Sequence, residues 1–230
     1  MTNVSIYKDI AARTGGDIYI GIVGPVRTGK STFIKQFMDK LVLPNISGDY
    51  QKERANDELP QSSSGRTIKT TEPKFIPDKG VQIKVDDSSA MNVRLIDCVG
   101  YIVPSALGYI EGDQPRMVMT PWFEEPIPFN MAAEIGTRKV INEHSTIGLV
   151  ITTDGSISGC EAAEVRLIEE LKAINKPFII LLNCMYPESP EAQELAQRLT
   201  EKYGIPVQPV NCLELNEEDI KQILSRILFE

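Results

Sequence analysis

The stretch from Gly24 to Ser31 constrains this chain most, because it reads G-P-V-R-T-G-K-S and matches the phosphate-binding loop pattern G-x-x-x-x-G-K-[ST]. An apolar, β-rich run over residues 17–23 precedes the loop, and residues 32–38 have the apolar spacing of a helix. Strand, glycine loop and helix are the context that this pattern requires. The sequence therefore predicts a nucleotide-binding fold built around this loop.

The residue types of the loop suit a phosphate group. Gly24 and Gly29 allow backbone angles that turn successive N–H groups inward, and the next helix adds the positive end of its dipole. Lys30 is expected to reach the β- and γ-phosphates, and the Ser31 hydroxyl to hold Mg²⁺. The other predicted nucleotide contacts of this stretch are Arg27, Thr28 and Thr32.

A second motif, D-x-x-G, joins Asp97 to Gly100 at the end of an apolar run. An aspartate in this position downstream of a phosphate-binding loop has the Walker-B role and orders Mg²⁺ through water or the loop serine. The N–H of Gly100 is expected to contact the γ-phosphate. Between the first helix and the next strand, Thr70 or Thr71 occupies the place where a switch threonine contacts Mg²⁺ and the γ-phosphate. The choice between them stays open, as does the simpler alternative that the pair only enters a strand.

Alternating strand and helix patterns predict an α/β fold of three layers, with a mostly parallel sheet and an antiparallel hairpin at its edge. We expect one P-loop domain over residues 1–230. The predicted helices are 4–13, 30–41, 134–143, 161–175, 191–203 and one capped by Asn216, and the predicted strands are 17–23, 74–76, 81–85, 93–97, 146–153, 176–183 and 205–210. Residues 101–136 are rich in proline and aromatic residues and are interpreted as a lid, an interaction surface or a plain surface excursion.

Composition excludes several classes of function. The formal net charge of -8 repels nucleic acid and anionic lipid, so we expect neither as a partner. Four cysteines without a C-x-x-C pair and a single histidine, His144, argue against a zinc site and for reduced thiols in a cytosolic protein. No signal-peptide core is present at the start, and no apolar run reaches the roughly 18 residues of a membrane span.

The base-reading motif of GTPases, N-K-x-D, is incomplete in this chain. Asn183 fits, but Cys184 stands for the lysine and Tyr186 for the aspartate that accepts hydrogen bonds from guanine. Loss of that acceptor favours ATP over GTP. Tyr101, after D-x-x-G, stands where many GTPases hold a water-orienting glutamine, which predicts slow turnover or water positioning by another group. Candidate charge stabilisers, for which a solvated or structural role is the alternative, are Arg27, Arg66, Arg116 and Arg138.

With these residues in place, nearly the whole chain resembles the N-terminal domain of the stage IV sporulation protein A family. Long strings carry the resemblance: residues 8–11, 13–19, 27–33, 43–46, 57–61, 70–75, 97–101, 120–122, 124–129 and 143–148. The resemblance implies a translation-factor-like GTPase fold adapted to ATP. It also implies Walker-A and Walker-B roles for Lys30 and Asp97, and a γ-phosphate sensor at Thr70 or Thr71.

The family builds the basement layer of the bacterial spore coat, so the resemblance implies further properties. They are ATP hydrolysis that drives a conformational change, self-assembly of the protein, contact with other spore coat proteins, and a cytoplasmic location on the mother-cell side of the forespore. Family members continue into a middle and a C-terminal domain, and residues 155–161 look shorter here than in the family. Two alternatives stay open: a regulatory GTPase with degenerate base recognition, and a scaffold that binds nucleotide without turnover.

Overall fold

The computed structural model describes residues 17–60, 72–84, 90–103, 106, 108–155 and 159–229. The strands are β1 (Asp17–Val23), β2 (Lys74–Lys84), β3 (Ala90–Asp97), β4 (Ile110–Glu111), β5 (Gln114–Pro115), β6 (Met117–Thr120), β7 (Phe123–Pro128), β8 (Ile147–Thr153), β9 (Phe178–Asn183) and β10 (Val207–Val210). The helices are α1 (Lys30–Phe37), α2 (Asp49–Asp57), α3 (Phe129–Lys139), α4 (Cys160–Ala173), α5 (Pro190–Tyr203) and α6 (Glu217–Phe229).

The main sheet has six strands in the order β10-β9-β8-β1-β3-β2. All neighbours are parallel except β2, which runs antiparallel to β3 and closes one edge as a hairpin. This arrangement confirms the predicted α/β architecture. Because the parallel strands share one direction, the carboxyl ends of β1, β3, β8, β9 and β10 meet at one edge of the sheet, where such folds bind ligands.

Helices cover both faces of the sheet and give it three layers. On one face, α1 and α6 bury Phe33 and Ile223 against alternate β1 residues such as Ile20. On the other face, α4 and α5 bury Leu167 and Ala196 against β8 and β9. The interior strands β8 and β9 are buried along almost their whole length, as expected for parallel strands covered on both sides.

Several predicted boundaries are confirmed. The predicted strand 17–23 is β1, and the first helix continues from α1 through a π-helical turn at Met38–Val42. The capping box that begins α6 forms as expected: Asn216 Oδ1 accepts from the Asp219 N–H at 3.0 Å, and Asp219 Oδ2 accepts from the Asn216 N–H at 3.1 Å. The predicted helix over residues 4–13 lies outside the described residues.

Two boundary predictions were wrong. Residues 74–76 and 81–85 are not separate strands, because β2 runs through Lys74–Lys84 with a register shift between Ile76 and Val81. The intervening Pro-Asp-Lys-Gly resembles a turn, but an edge strand tolerates proline at such an irregularity. The helix predicted from residue 134 starts at Phe129, which is fully buried. Before it, the excursion that follows β3 forms two short hairpins, β4–β5 and β6–β7.

Candidate functional site

The phosphate-binding loop connects β1 to α1 at the carboxyl edge of the sheet. Lys30 is the first residue of α1, and its side chain folds back into the loop. Its ammonium group donates to the carbonyl oxygen of Pro25 at 2.6 Å and to that of Gly24 at 3.2 Å. The residue is only 6% exposed, and burial lowers the pKa of its amine. The loop therefore encloses a positive charge that a phosphate group could compensate.

Asp97 ends β3 next to Ile22 of β1 in the parallel register. Burial raises the pKa of its carboxyl group to about 6, whereas the positive charge of Lys30 and a hydrogen bond from the Cys98 main chain act to lower it. A carboxylate and an ammonium thus face the same loop in surroundings that disfavour either charge alone. Perturbed groups of this kind cluster at functional sites, which agrees with the Walker-B role expected for Asp97.

Gly100 brings the D-x-x-G segment into contact with the loop. A Cβ atom on this residue would lie 2.0 Å from the Gly24 carbonyl oxygen and 2.8 Å from the Lys30 amine. The following residue, Tyr101, accepts a hydrogen bond from the Val26 N–H through its carbonyl oxygen at 3.1 Å. Only glycine fits the close approach at position 100, so the second motif is packed directly on the first.

The Tyr101 side chain points away from the loop and into the layer formed by α3 and α4. It is 2% exposed, its hydroxyl group is hydrogen-bonded to Glu170, and the Arg166 guanidinium lies over its ring at 4.9 Å. Glu170 also binds Arg138 at 3.3 Å. Neither Glu170 nor Arg166 was predictable from sequence, because their four-residue spacing on a helix is a common surface pattern and gives no sign of a buried tyrosine.

Asn183 joins the far side of the loop to β9 and β10. Its Nδ2 atom donates to the Thr28 carbonyl oxygen at 3.0 Å, and its Oδ1 atom accepts from the Cys212 N–H at 3.1 Å. A Cβ atom at Gly29 would lie 2.5 Å from the Asn183 Nδ2 atom. Asn183 thereby fixes the two strand ends against the start of α1, a function that the sequence motif did not reveal.

The predicted arginines separate into two groups. Arg27 is exposed at the phosphate-binding loop and has a φ angle of 69°. Arg138 pairs with Glu170, and Arg116 donates to the Gly108 carbonyl oxygen at 2.9 Å, so both have structural contacts. Arg66 lies outside the described residues.

Of the other predicted site residues, Ser31 and Thr32 are half-buried in the first turn of α1. The switch threonines, Thr70 and Thr71, lie outside the described residues, as does most of the short segment before α4. Within the described ranges, no group of three or more histidine, cysteine, aspartate or glutamate residues could hold a metal ion. No helix in this part of the chain is long and apolar enough to cross a membrane.

Comparison with known proteins gives matches over the whole chain. Residues 1–230 match the family described as stage IV sporulation protein A, ATPase domain. The stage IV sporulation protein A of Bacillus subtilis (strain 168) is 57% identical over 235 residues, covering 100% of this chain and 48% of that protein. The proteins of the same name from Bacillus anthracis and Clostridioides difficile (strain 630) are 56% and 54% identical over 100% and 99% of this chain.

The chain spans about half the length of the curated relatives it matches, with 48% of each covered. Among solved structures, Methanosarcina barkeri Roco2 RocCORdC bound to GDP has a TM-score of 0.48 at 14% identity, covering 93% of this chain and 49% of that one. The match to the family over the whole chain and the 54–57% sequence identity to its members determine the family to which the chain belongs. The chain belongs to the stage IV sporulation protein A family, over the ATPase domain of that family.

Proposed function

We propose that this chain is a single ATPase domain that binds Mg-ATP and hydrolyses it to ADP and phosphate. The observation that carries the proposal is the convergence of Lys30, Asp97 and Gly100 on one phosphate-binding loop. These groups supply a cation, an anion and a main-chain donor at one place. Phosphoryl transfer needs this combination, because catalysis in such sites is mainly positioning and charge stabilisation.

The donor set fits ATP and Mg²⁺. Lys30 would contact the β- and γ-phosphates, while the Ser31 hydroxyl and Asp97 would hold the cation. Bound Mg²⁺ neutralises charge on the phosphate oxygens and on the leaving group. The Thr28 hydroxyl already donates to the Pro25 carbonyl oxygen at 3.0 Å, so its contribution to a phosphate would come from its main-chain N–H.

The remaining nucleotide contacts are proposals of the same kind. Gly24, Gly29 and Thr32 would complete the phosphate cradle with their N–H groups, and Arg27 would add charge at its rim. Asn183 would support the cradle from the side of β9, through its hydrogen bond to the Thr28 carbonyl oxygen. Thr70 or Thr71 would contact Mg²⁺ and the γ-phosphate, and the Gly100 N–H would contact that phosphate as well.

Membership of the family supports a wider role. We propose that hydrolysis drives a conformational change that permits self-assembly into the basement layer of the bacterial spore coat, on the cytoplasmic, mother-cell side of the forespore. Other spore coat proteins would be further partners. The exposed apolar side chains of the β6–β7 hairpin, Met117, Met119 and Phe123, are available for such contacts.

A scaffold that binds nucleotide without turnover is the second candidate, and the Tyr101 side chain favours it. The position that holds a water-orienting glutamine in many GTPases is occupied here by a buried tyrosine whose hydroxyl group is bonded to Glu170. Another group must then position the attacking water, or hydrolysis does not occur. A regulatory GTPase is the third candidate, but Tyr186 offers no carboxylate to guanine.

The test is phosphate release with Mg-ATP and, separately, Mg-GTP. A Lys30→Ala variant removes the enclosed charge, and Lys35→Ala, an exposed lysine on the same helix, serves as the matched control. We expect ATP turnover that Lys30→Ala reduces by at least about a hundredfold and Lys35→Ala leaves unchanged. Binding without turnover would favour the scaffold, and turnover selective for GTP would favour the GTPase. Sedimentation of the same samples tests whether assembly depends on Lys30.

A further inference from the structure

The two sides of the phosphate-binding loop have different neighbours. In the sheet, β3 lies on one side of β1, and β8, β9 and β10 lie on the other. On the β3 side, Asp97 ends the strand, Gly100 packs directly on the loop, and the next residues include the buried Tyr101 and Val103. A nucleotide with its terminal phosphates between Lys30 and Asp97 therefore extends its nucleoside towards the loops that follow β9 and β10. In open α/β sheets this carboxyl edge is where ligands lie.

Three large apolar side chains are exposed in those two loops. Met185 is 68% exposed, and Tyr186 and Leu213 are each 71% exposed. The other exposed large apolar side chains of the described residues belong to α2, the two hairpins, the first turn of α3 and the residue after α4. A single exposed apolar side chain needs no explanation, but a group of them beside a ligand site indicates a surface that a ligand covers.

Hydrogen bonds fix the backbones of these two loops. The Asn211 side chain donates to the Met185 carbonyl oxygen at 3.2 Å and accepts from the Leu213 N–H at 3.1 Å. The Gln36 side chain of α1 donates to the Leu213 carbonyl oxygen at 2.8 Å. Asn183 adds its bonds to the Thr28 carbonyl oxygen and the Cys212 N–H. The loops are thus held to each other and to α1, while their apolar side chains stay uncovered.

We propose that Met185, Tyr186 and Leu213 form a clamp that binds the faces of the adenine ring of ATP. The clamp rests on the proposed function, since it supplies the base-binding half of the same site. Apolar and aromatic side chains stack on the flat face of a purine without reading its edge. This explains how Tyr186 can stand where GTPases need an aspartate, because stacking requires no carboxylate.

A competing mode is edge recognition by a carboxylate. Glu214 lies in the loop after β10, next to Leu213, and its Oε2 atom accepts a hydrogen bond from the Asn211 Nδ2 atom at 3.1 Å. If the Glu214 carboxylate accepted a hydrogen bond from the adenine amino group, the apolar side chains would contribute little to the affinity for ATP. Stacking and edge recognition predict that different variants lose affinity for ATP. One series of titrations therefore distinguishes the two modes.

The experiment measures the affinity of the purified chain for Mg-ATP and for inorganic tripolyphosphate, which has no base, by titration calorimetry. The variants are Tyr186→Ser, Leu213→Ser and Glu214→Gln, with Tyr186→Phe as the conservative replacement that keeps the ring. Ile174→Ser, an exposed apolar residue at the opposite edge of the sheet, is the matched control. Lys30→Ala reports whether ATP uses the phosphate-binding loop at all.

We expect Tyr186→Ser to weaken ATP binding by about 5- to 150-fold, the range typical of lost base stacking, and Leu213→Ser to weaken it by at least about fivefold. Tripolyphosphate affinity stays within about twofold, and Tyr186→Phe, Glu214→Gln and Ile174→Ser bind ATP as the parent does. Unchanged ATP affinity in both serine variants overturns the clamp. An equal loss of affinity for ATP and for tripolyphosphate also overturns it. Selective loss in Glu214→Gln instead establishes edge recognition and also overturns it. If the parent chain does not bind ATP, or if Lys30→Ala binds ATP as tightly as the parent does, the proposed function itself is overturned.

Discussion

The β3 side and the β9–β10 side of the phosphate-binding loop are built on different physical principles. On the β3 side, a buried lysine, a half-buried aspartate and a glycine without room for a side chain meet at the phosphate-binding loop. On the β9–β10 side, hydrogen-bonded loops present exposed apolar side chains. The first side suits triphosphate chemistry, and the second suits a flat base.

A sequence motif can describe the phosphate-binding half of such a site but not the base-binding half. A phosphate and its cation require a cation, an anion and main-chain donors at fixed positions, so few residue types serve there. A stacking surface requires only apolar area beside a rigid backbone, which many residue types supply. Loss of a charged group or of the close glycine contact on the β3 side should therefore reduce turnover sharply, whereas substitutions on the β9–β10 side should change the affinity for the base.

The largest effect is expected for Gly100→Ala on the β3 side. The added Cβ atom would lie 2.0 Å from the Gly24 carbonyl oxygen, so the D-x-x-G segment must move away from the loop. We expect turnover of ATP to fall by about a hundredfold, the usual consequence of misplacing a catalytic group by about 1 Å. Phosphate release measures this effect, and the variant is also expected to unfold at lower denaturant concentration.

Gly112→Ala is the control for the backbone strain alone. Gly112 has a φ angle of 60° and Gly100 one of 88°, so both need a backbone conformation that favours glycine. A Cβ atom at Gly112, however, meets no heavy atom of the described residues within 4 Å. Its cost is expected to be about 1 kcal/mol of unfolding free energy, with turnover unchanged. Equal turnover in Gly100→Ala and the parent would contradict the close packing of the two motifs as a catalytic requirement.

Tyr186→Asp is expected to have an intermediate effect, on selectivity. The substitution supplies the carboxylate that the base-reading motif lacks and removes the aromatic ring. We expect GTP affinity to rise by about tenfold and ATP affinity to fall by a similar factor, because a placed acceptor discriminates strongly between bases. Competition between the two nucleotides for one labelled analogue measures both changes together.

Tyr186→Ser separates the two consequences of that change. Serine removes the ring without adding a carboxylate, so ATP affinity should fall while GTP affinity gains nothing. If Tyr186→Asp and Tyr186→Ser behaved alike towards both nucleotides, the residue would not face the base. The β9–β10 side of the loop would then not determine which nucleotide the chain prefers.

Much of the fold was predictable because its signals are local. The strand β1, the loop and α1 follow from a mostly apolar run of seven residues, the glycine spacing and the next apolar face. Residues 101–136 were not resolved into elements from sequence, because prolines and aromatic residues fit both hairpins and irregular loops. The start of α3 at Phe129 depends on burial of that side chain, which becomes visible only when the layers are assembled.

The same distinction holds for the site. Lys30, Asp97 and Gly100 were identified because their residue types and spacing are dictated by phosphate chemistry, and the structure brings all three together. The contact between Tyr101 and Glu170 joins residues 69 positions apart and follows from how α4 packs. The apolar surface after β9 and β10 was equally hidden, since the sequence shows Tyr186 in place of the aspartate but not that Met185, Tyr186 and Leu213 are all exposed there.

The smallest effect is expected for Tyr101→Phe, which tests how the β3 side is held. Glu170 keeps its ion pairs with Arg138 at 3.3 Å and with Arg166 at 3.4 Å when the tyrosine hydroxyl is removed. The contact of Tyr101 with the loop uses its carbonyl oxygen, which the substitution retains. We expect a loss of about 1 kcal/mol in unfolding free energy, measured with denaturant, and a change in turnover below about threefold. Loss of turnover with unchanged stability would mean that the hydroxyl group positions the attacking water.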